Sequence, residues 1–548
     1  MGLLLLCLGN LAVTLLVAAT AVAWAGRWRR RWLAVGFSLL VVLGFLALYA
    51  GLAALVGILW KNAGMASMLF GLLLSLTVLF AGGGVWLTVA GLRRGEPGRR
   101  RAADWPLARL AALLAVALVL HLTTWWGLEL AAEQRTAALR AESALLILAA
   151  SPPAVPDRDN ASFLYSQAAE VAGASGQWIE RSSQEWWWFV FKRFEGNRLD
   201  TSDAKLRALL KEQADTLDLL HRAASKPSCS FGRPYDQHSL RDTAPDADFV
   251  RDGATLLVLD ARCKAADGDT RGALRDCLAI FAIAGHLASD RTLISLVCSI
   301  QAQRLAVDAL EDVVETAPPT STDLGELDDL GEFSYHEALR RALRTEEALG
   351  CQAFCDVGKV LIPLVAPLGA HSAPVPLGHG RWTLPYNIFL RDEDIEVFRE
   401  LIADEQRITD QPPAQYVAEW EKAGRQAFDF RARSRHGCVA GMLITGLACR
   451  TMAITADAER RLALTAVAVC RFRAARGRLP SALAELSPEF LTVIPRDPFD
   501  GRPLRMKKTG ESLVLYSIGE DGKDDGGIPW NWEKQAGDIT FTIKGMPP

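Results

Sequence analysis

The sequence predicts a mainly α-helical membrane protein that ends in a small α+β module. Half of the 548 residues are hydrophobic, and the apolar excess is concentrated in the first 130 positions. Apolar side chains then recur at helical spacing through the middle of the chain. Near the C-terminus, short alternating segments separated by glycine-rich turns replace this pattern. We therefore divide the chain into a transmembrane domain (1–126), an extracytoplasmic helical domain (127–435) and a long helix with a β-module (436–548).

Four apolar runs in the first domain are each about as long as a membrane-spanning helix. They are Leu3–Trp24, Leu33–Trp60, Met65–Leu92 and Leu107–Trp126. A helix needs about 20 apolar residues to cross the hydrocarbon core of a bilayer. Tryptophan favours the membrane interface, and three of the four runs end in tryptophan, the last of them in a pair. These residues are Trp24, Trp60, Trp125 and Trp126. The sequence thus predicts four transmembrane helices in a lipid bilayer.

The charges of the loops between these runs predict their orientation. The first loop (25–32) contains four arginines and the third (93–106) contains five, whereas the second contains only Lys61. Arginine-rich loops stay in the cytoplasm. We therefore expect a multi-pass protein of the bacterial inner membrane, with residues 127–548 outside the cytoplasm. The net charge of −3 gives no reason to expect a nucleic-acid partner.

The ten cysteines do not form the pattern of a disulfide-rich scaffold. Cys351 and Cys355 are four residues apart on a predicted helix. Their Cβ atoms would be about 5–6 Å apart, too far for an unstrained disulfide. Most other cysteines fall singly in apolar helical patterns, which is typical of buried thiols. A metal site at Cys351 and Cys355 remains the alternative.

The clearest helical unit of the second domain covers 248–315. Asp267, Gly268 and Asp269 interrupt its apolar pattern and predict a helical hairpin, with Asp290 as the cap of a third helix. Leucines at helical spacing predict a core between the first two helices: Leu256, Leu257, Leu274 and Leu278. The hairpin does not recur at a fixed period, so we interpret the domain as solenoid-like and not as a repeat array. A further helix is predicted over His336–Leu361.

Three other segments leave alternatives open. The cluster Glu185–Phe189 contains three adjacent tryptophans, which cannot share one helix face, so it predicts either an aromatic core or a surface for a partner or ligand. The proline-rich stretch 362–386 predicts a long irregular loop. The apolar segment 438–455 contains Arg450, so we prefer a core helix that continues to Gly477 over a fifth span. Gly477 and Pro480 mark the end of that helix.

The final 70 residues predict a sheet and an acidic loop. Strands are expected at 503–508, 512–518 and 538–543, with a tight turn at Gly510 between the first two. Asp521, Asp524 and Asp525 lie among glycines between the last two strands. Crowded carboxylates repel one another, and Ca²⁺ prefers carboxylate and carbonyl oxygens on a flexible loop. The loop is therefore either a calcium site or a solvated acidic turn.

The order of these C-terminal features resembles the globular part of type II secretion major pseudopilins. The resemblance covers roughly the last 95 residues and rests on RGRLPSA, DPFDG and YSIGEDG, which follow a long helix. It implies a structural, calcium-binding module. The matching positions are Ser517, Asp521 and Asp538, with Asp524 and Asp525 in the intervening acidic stretch. The four N-terminal runs depart from the single helix of a pseudopilin. The whole chain looks like uncharacterised bacterial multi-pass membrane proteins with this ending.

No sequence signature of an enzyme family is present. The chain has no zincin motif, no phosphate-binding loop after a strand and no G-x-S-x-G elbow. We therefore expect a membrane-anchored binding or scaffold protein, linked to other envelope proteins in secretion or envelope assembly. The alternative is an envelope hydrolase with its site in the 362–386 loop or the tryptophan cluster. A transporter is disfavoured because the predicted spans contain almost no ionisable residues.

Overall fold

A computed structural model describes the chain from Gly127 onward, with gaps. The described residues are Gly127, 130–174, 200–232, 245–320, Asp323, 333–355, 391–416, 446–531, Lys534 and 536–544. Within these ranges the chain is mainly helical and contains one small antiparallel sheet near its C-terminus, which confirms that part of the predicted fold. The four predicted spans, the tryptophan cluster and the 362–386 loop lie outside the described residues, and so do residues 126 and 435, where the predicted domains end.

The helices follow one another along most of the described chain. In chain order they are α1 (130–150), α2 (Ser162–Ala174), α3 (Ala204–Glu212), α4 (Ala214–Ala224), α5 (Pro245–Ala266), α6 (Thr270–Ala288), α7 (Leu293–Thr316), α8 (Tyr335–Cys355), α9 (Arg391–Thr409), α10 (Pro413–Tyr416) and α11 (Gly446–Arg476). Short 3₁₀ turns occur at Asp157–Asp159 and Leu483–Leu486. The strands are β1 (Arg505–Thr509), β2 (Ser512–Ser517) and β3 (Ile539–Ile543).

The chain divides into two compact units. The described part of the smaller unit consists of 130–142, 351–355 and 391–399. Phe354 and Phe398 pack edge to face there, with ring centroids 5.6 Å apart. Cys351 and Cys355 belong to this unit and form no disulfide, as expected from their spacing.

The larger unit contains the predicted hairpin of α5 and α6. Gly268 takes a φ of +83° in the connection, and the Asp269 carboxylate accepts a hydrogen bond from Gly272 N at 2.9 Å, which caps α6. The predicted leucines are in the core: Leu256, Leu257 and Leu274 are buried and Leu278 is partly buried. α7 packs against both helices of the hairpin. The hairpin prediction is confirmed.

The N-terminus of α7 differs from the prediction. Thr292 is the capping residue, since its hydroxyl accepts a hydrogen bond from Ser295 N at 3.1 Å. The prediction that Asp290 caps this helix is wrong. Arg291 has a left-handed φ of 58° and turns the chain between Asp290 and the helix. Asp290 therefore lies two residues before the cap and accepts a hydrogen bond from the Ser295 hydroxyl instead.

α7 also has the length and apolar character of a membrane span, alone among the helices in the described ranges. About two thirds of its most apolar stretch (67%) is buried inside the protein. It packs against α5, α6, α11 and β3. These contacts cover it on several sides, so the apolar composition of α7 is that of a central core helix.

The long helix α11 connects the helical core to the sheet. It packs against α7 and also against β2 and β3. The predicted face of this helix is buried: Leu462, Ala466, Val469 and Phe472. Arg450, near its start, is 3% exposed and pairs with Glu405 at 2.9 Å, which is a core environment. The helix ends at Gly477, whose φ of +67° is the expected left-handed C-cap.

The sheet has the order β1-β2-β3, with both pairs antiparallel. Leu513, Leu515 and Phe541 are fully buried and join the core that contains the hairpin. The outer edge of β1 carries the exposed residues Lys507 and Lys508. The three predicted strands are confirmed.

The free edge of β3 is covered by a contact from α7. The backbone N–H of Thr542 donates a hydrogen bond to the Glu311 carboxylate at 2.8 Å. β3 also packs against α7 and α11. Neither edge of the sheet is therefore an open apolar strand.

Leu274→Ala tests the hairpin core. The side chain is 1% exposed, so its truncation leaves a cavity and should lower the free energy of unfolding by about 2–5 kcal/mol. Denaturant unfolding of the purified protein measures this loss. Leu148→Ala is the matched control, because Leu148 is 75% exposed and its truncation should change stability by less than about 0.5 kcal/mol. An equal loss of unfolding free energy in the two variants would contradict the burial of Leu274 in the hairpin core.

Glu346 in α8 predicts a pH dependence of stability. Its buried carboxylate accepts a hydrogen bond from Leu293 N at 3.1 Å, and burial raises its pKa to about 7. The folded state thus keeps a proton that the unfolded state loses near pH 4.5. This contribution to stability is complete below pH 4.5 and is lost as the pH rises to about 7, by roughly 3 kcal/mol.

Glu346→Gln should remove this loss, because the amide keeps a hydrogen-bond acceptor and carries no charge. We expect the variant to gain stability relative to the parent protein between pH 4.5 and 7. Unfolding free energies of both proteins across this range measure the difference, in which other titrating groups cancel. Parallel curves would show that Glu346 ionises normally in the folded protein.

Candidate functional site

The predicted acidic loop is attached to a buried carboxylate in the DPFDG turn. Asp497 is fully buried and accepts hydrogen bonds from the backbone N–H groups of Phe499 (2.9 Å) and Ile518 (3.0 Å). The Ser517 hydroxyl donates to the same carboxylate at 2.8 Å. Burial raises the pKa of Asp497, while these donors lower it. This one side chain therefore holds the turn against the end of β2.

Arg505 in β1 connects the turn to the acidic loop. Its guanidinium pairs with Asp497 at 3.0 Å and with Asp524 at 3.0 Å, and it also pairs with Asp500. Asp524 in turn accepts a hydrogen bond from Gly526 N at 3.0 Å. The charge of Asp524 is thus compensated by an arginine, and the side chain is held at the sheet.

Asp538, at the start of β3, organises the other side of the loop. Its two oxygens accept hydrogen bonds from Gly527 N at 2.6 Å and Asp525 N at 3.3 Å. Burial raises the pKa of Asp538, these two amides lower it, and the charges of Asp524 and Asp525 raise it further. Asp538 therefore holds residues 525–527 of the loop beside the start of β3 through main-chain contacts.

Asp521 and Asp525 differ from the other predicted ligands. Each has one buried carboxylate oxygen that finds no hydrogen-bond donor in the described ranges. The second oxygen of Asp521 accepts from Lys523 N at 3.1 Å. Carbonyl and carboxylate oxygens without donors suit Ca²⁺. In this respect Asp521 and Asp525 fit a cation, whereas Ser517 and Asp524 are engaged by protein groups.

The five predicted ligands are not gathered into one cluster. In the described ranges, no three His, Cys, Asp or Glu side chains come together as a group that could hold a metal ion. The hydrogen bonds of Ser517 and Asp538 and the ion pair of Asp524 explain this separation. A cation at this loop would therefore depend on Asp521, Asp525 and main-chain carbonyls.

A second candidate site is a cavity of about 790 Å³ in the larger unit, which we call the basic cavity. It is bordered by 152–155, by the end of α4 with residues 225–229, and by α6, α8 and α11. The face of α6 toward the cavity carries small residues, Ala279, Ala282 and Gly285. A Cβ atom added at Gly285 would meet nothing within 4 Å. The short side chains of α6 leave this space open.

The polar lining of the basic cavity contains several basic side chains. Arginine, lysine and histidine line it, and neither aspartate nor glutamate does: the residues are His221, Lys226, Arg275, His286, Arg291, Arg341 and Arg460. The apolar lining includes Leu278, Phe281 and Phe333. A volume in the range of about 300–1,000 Å³ with an apolar wall and a few polar groups is typical of small-molecule sites.

His286 has a structural role in this wall. Its Nε2 lies 2.9 Å from the Lys226 carbonyl, which can only accept, so Nε2 carries the proton. The Tyr165 hydroxyl then donates to Nδ1 at 2.8 Å. Burial lowers the pKa of His286 to about 4. The ring is therefore neutral near pH 7 and joins α2 and α6 to the segment after α4.

Sequence reasoning missed the basic cavity because its residues are far apart along the chain. Arg291 precedes α7, Arg341 is in α8 and Arg460 is in α11. The only local signal is the run of small residues on one face of α6, at positions 279, 282 and 285. Such a run is also common where two helices pack closely.

Comparisons with known proteins give no match: no family model, no curated protein and no solved structure aligns with this chain. The argument for function therefore depends on the residues and contacts described above.

Proposed function

We propose that the chain is a membrane-anchored scaffold and binding protein that acts outside the bacterial cytoplasm, in secretion or envelope assembly. The observation that carries this proposal is the single core shared by the helical hairpin and the C-terminal sheet. A sheet built into that core stabilises the helical surfaces available to partners. Those partners are other envelope proteins, while the four predicted spans place the protein in the lipid bilayer.

Calcium is the proposed stabilising ligand of the C-terminal module. Asp521 and Asp525 would hold it, with main-chain carbonyls, because each keeps a buried oxygen without a donor in the described part of the chain. Asp538 would order the loop through its two amide contacts. A bound calcium ion supplies positive charge that offsets the repulsion among these carboxylates.

Calcium should raise the melting temperature of the purified full-length protein. A ligand that binds only the folded state adds about 2.7 kcal/mol at a hundredfold excess over its dissociation constant. Because the sheet and the hairpin share a core, calcium should also slow hydrogen exchange in α5 and α6. Melting curves and exchange rates with millimolar-range calcium or with a chelator measure both effects.

Asp521→Ala and Asp525→Ala should each abolish these two effects while changing the chelated protein little. Glu511→Ala is the matched control, because it removes one exposed negative charge from the β1–β2 turn of the same module. If the parent protein gives identical melting curves with calcium and with chelator, the loop is a solvated acidic turn and not a calcium site. A rise in melting temperature without slower hydrogen exchange in α5 and α6 would support calcium binding and contradict the proposed stabilisation of the helices by the sheet.

Alkaline phosphatase fusions test the proposed location. The enzyme is active only outside the cytoplasm, so a fusion after Gly477 and a fusion at Glu332 should both be active. An inactive fusion after Gly477 beside an active one at Glu332 would mean that the segment around 438–455 crosses the bilayer. Inactivity of both fusions would reject the extracytoplasmic location.

A further inference from the structure

Two cations that line the basic cavity, Lys226 and Arg291, are held by backbone carbonyls. Lys226 Nζ donates to the carbonyl of Arg158 at 2.6 Å. Arg291 donates to the carbonyls of Ala150 and Ser151 at 3.2 and 3.3 Å. A carbonyl carries no net charge, so these hydrogen bonds orient the two cations without neutralising them.

Arg341 is the cation most available to a ligand. Its half-buried guanidinium makes no hydrogen bond or ion pair with any residue in the described ranges. Burial lowers its pKa, and the nearby charge of Arg291 lowers it further, while Glu337 opposes this shift. Two guanidinium groups thus act on each other at one side of the cavity, where an anion would relieve their repulsion.

Two carboxylates close to the cavity, Asp276 and Glu337, already have partners of their own. Asp276 is fully buried behind the lining residue His221 and contacts its Nε2 at 2.8 Å. The same carboxylate pairs with Lys264 at 2.9 Å. Glu337, which acts on Arg341 from a distance, forms its ion pair with Arg340 at 3.1 Å. Neither of these two carboxylates forms an ion pair with Arg291 or Arg341.

Apolar and aromatic side chains also line the cavity. The guanidinium of Arg460 lies over the rings of Phe281 and Phe333, with its central carbon 5.4 and 5.6 Å from their centroids. Leu278 and Ala282 continue this wall along α6. A ligand that filled the cavity would therefore meet both cationic and apolar side chains.

We propose that the basic cavity binds a small organic anion. A carboxylate or phosphate group would pair with Arg341 and Arg291, since guanidinium groups match the geometry of both anions. Its apolar or aromatic portion would lie along α6 against Leu278 and Phe281. This site is separate from the acidic loop and does not depend on calcium.

Three aromatic compounds of similar shape test the proposal: 2-naphthoate, 2-naphthyl phosphate and the neutral 2-naphthamide. Binding to the full-length protein in lipid nanodiscs is measured by equilibrium dialysis, with empty nanodiscs as the blank. At least one anion should bind about tenfold or more tightly than the amide, because a charge-assisted hydrogen bond adds to the shared apolar contact. The relative affinities of carboxylate and phosphate identify the preferred anion.

Arg341→Gln should weaken binding of the anion about tenfold to a hundredfold and leave binding of the amide unchanged. Arg344→Gln is the matched control, because Arg344 lies on the same helix, is exposed and does not line the cavity. Ala282→Leu should weaken all three compounds by filling the space beside α6. A melting curve for each variant verifies that it is folded.

Equal binding of amide and anion would overturn the assignment of an anion site. An Arg341→Gln variant that is folded and binds the anion as tightly as the parent would do the same. If none of the three compounds binds the folded parent protein, the cavity is not a site for this class of ligand.

Discussion

The fold depends on the burial of one helix on two sides. α11 packs against α7 with part of its surface and against β2 and β3 with another. An apolar stripe would be enough for a helix on a surface, but a helix between two layers must be apolar around most of its circumference. Its alanines and valines meet this requirement, and its buried Arg450 forms an ion pair with Glu405 inside the core. The helical layer and the sheet consequently cannot be stabilised separately.

Charged groups at the two candidate sites have different kinds of partners. In the C-terminal module, Arg505 pairs with three carboxylates and joins them in one connected network. In the basic cavity, Lys226 and Arg291 donate to backbone carbonyls, which orient these two cations without neutralising them. The first arrangement holds a turn against a strand. The second creates a positive potential inside a concave surface.

Local signals in the sequence were sufficient for the elements and insufficient for their assembly. The turn at Asp267–Asp269, the cap at Gly477 and the three strands depend on nearby residues, and all were predicted. The prediction that Asp290 caps α7 was wrong because Arg291 adopts a left-handed conformation, so the helix is capped two residues later, at Thr292. The partners of Ser517 and Asp524 were missed because Asp497 and Arg505 reach them only after the sheet forms. The basic cavity was missed because it forms only where three helices that are distant in the sequence, α6, α8 and α11, come together.

The edges of the small sheet limit how this protein can associate. Strand addition requires a row of free backbone donors and acceptors on an accessible, uncharged edge. On β1 the exposed residues Lys507 and Lys508 place two positive charges beside that row, and charged edge residues disfavour strand addition. On β3 the N–H of Thr542 is already taken by Glu311 from α7. Both edges of the sheet therefore disfavour strand addition by a second molecule.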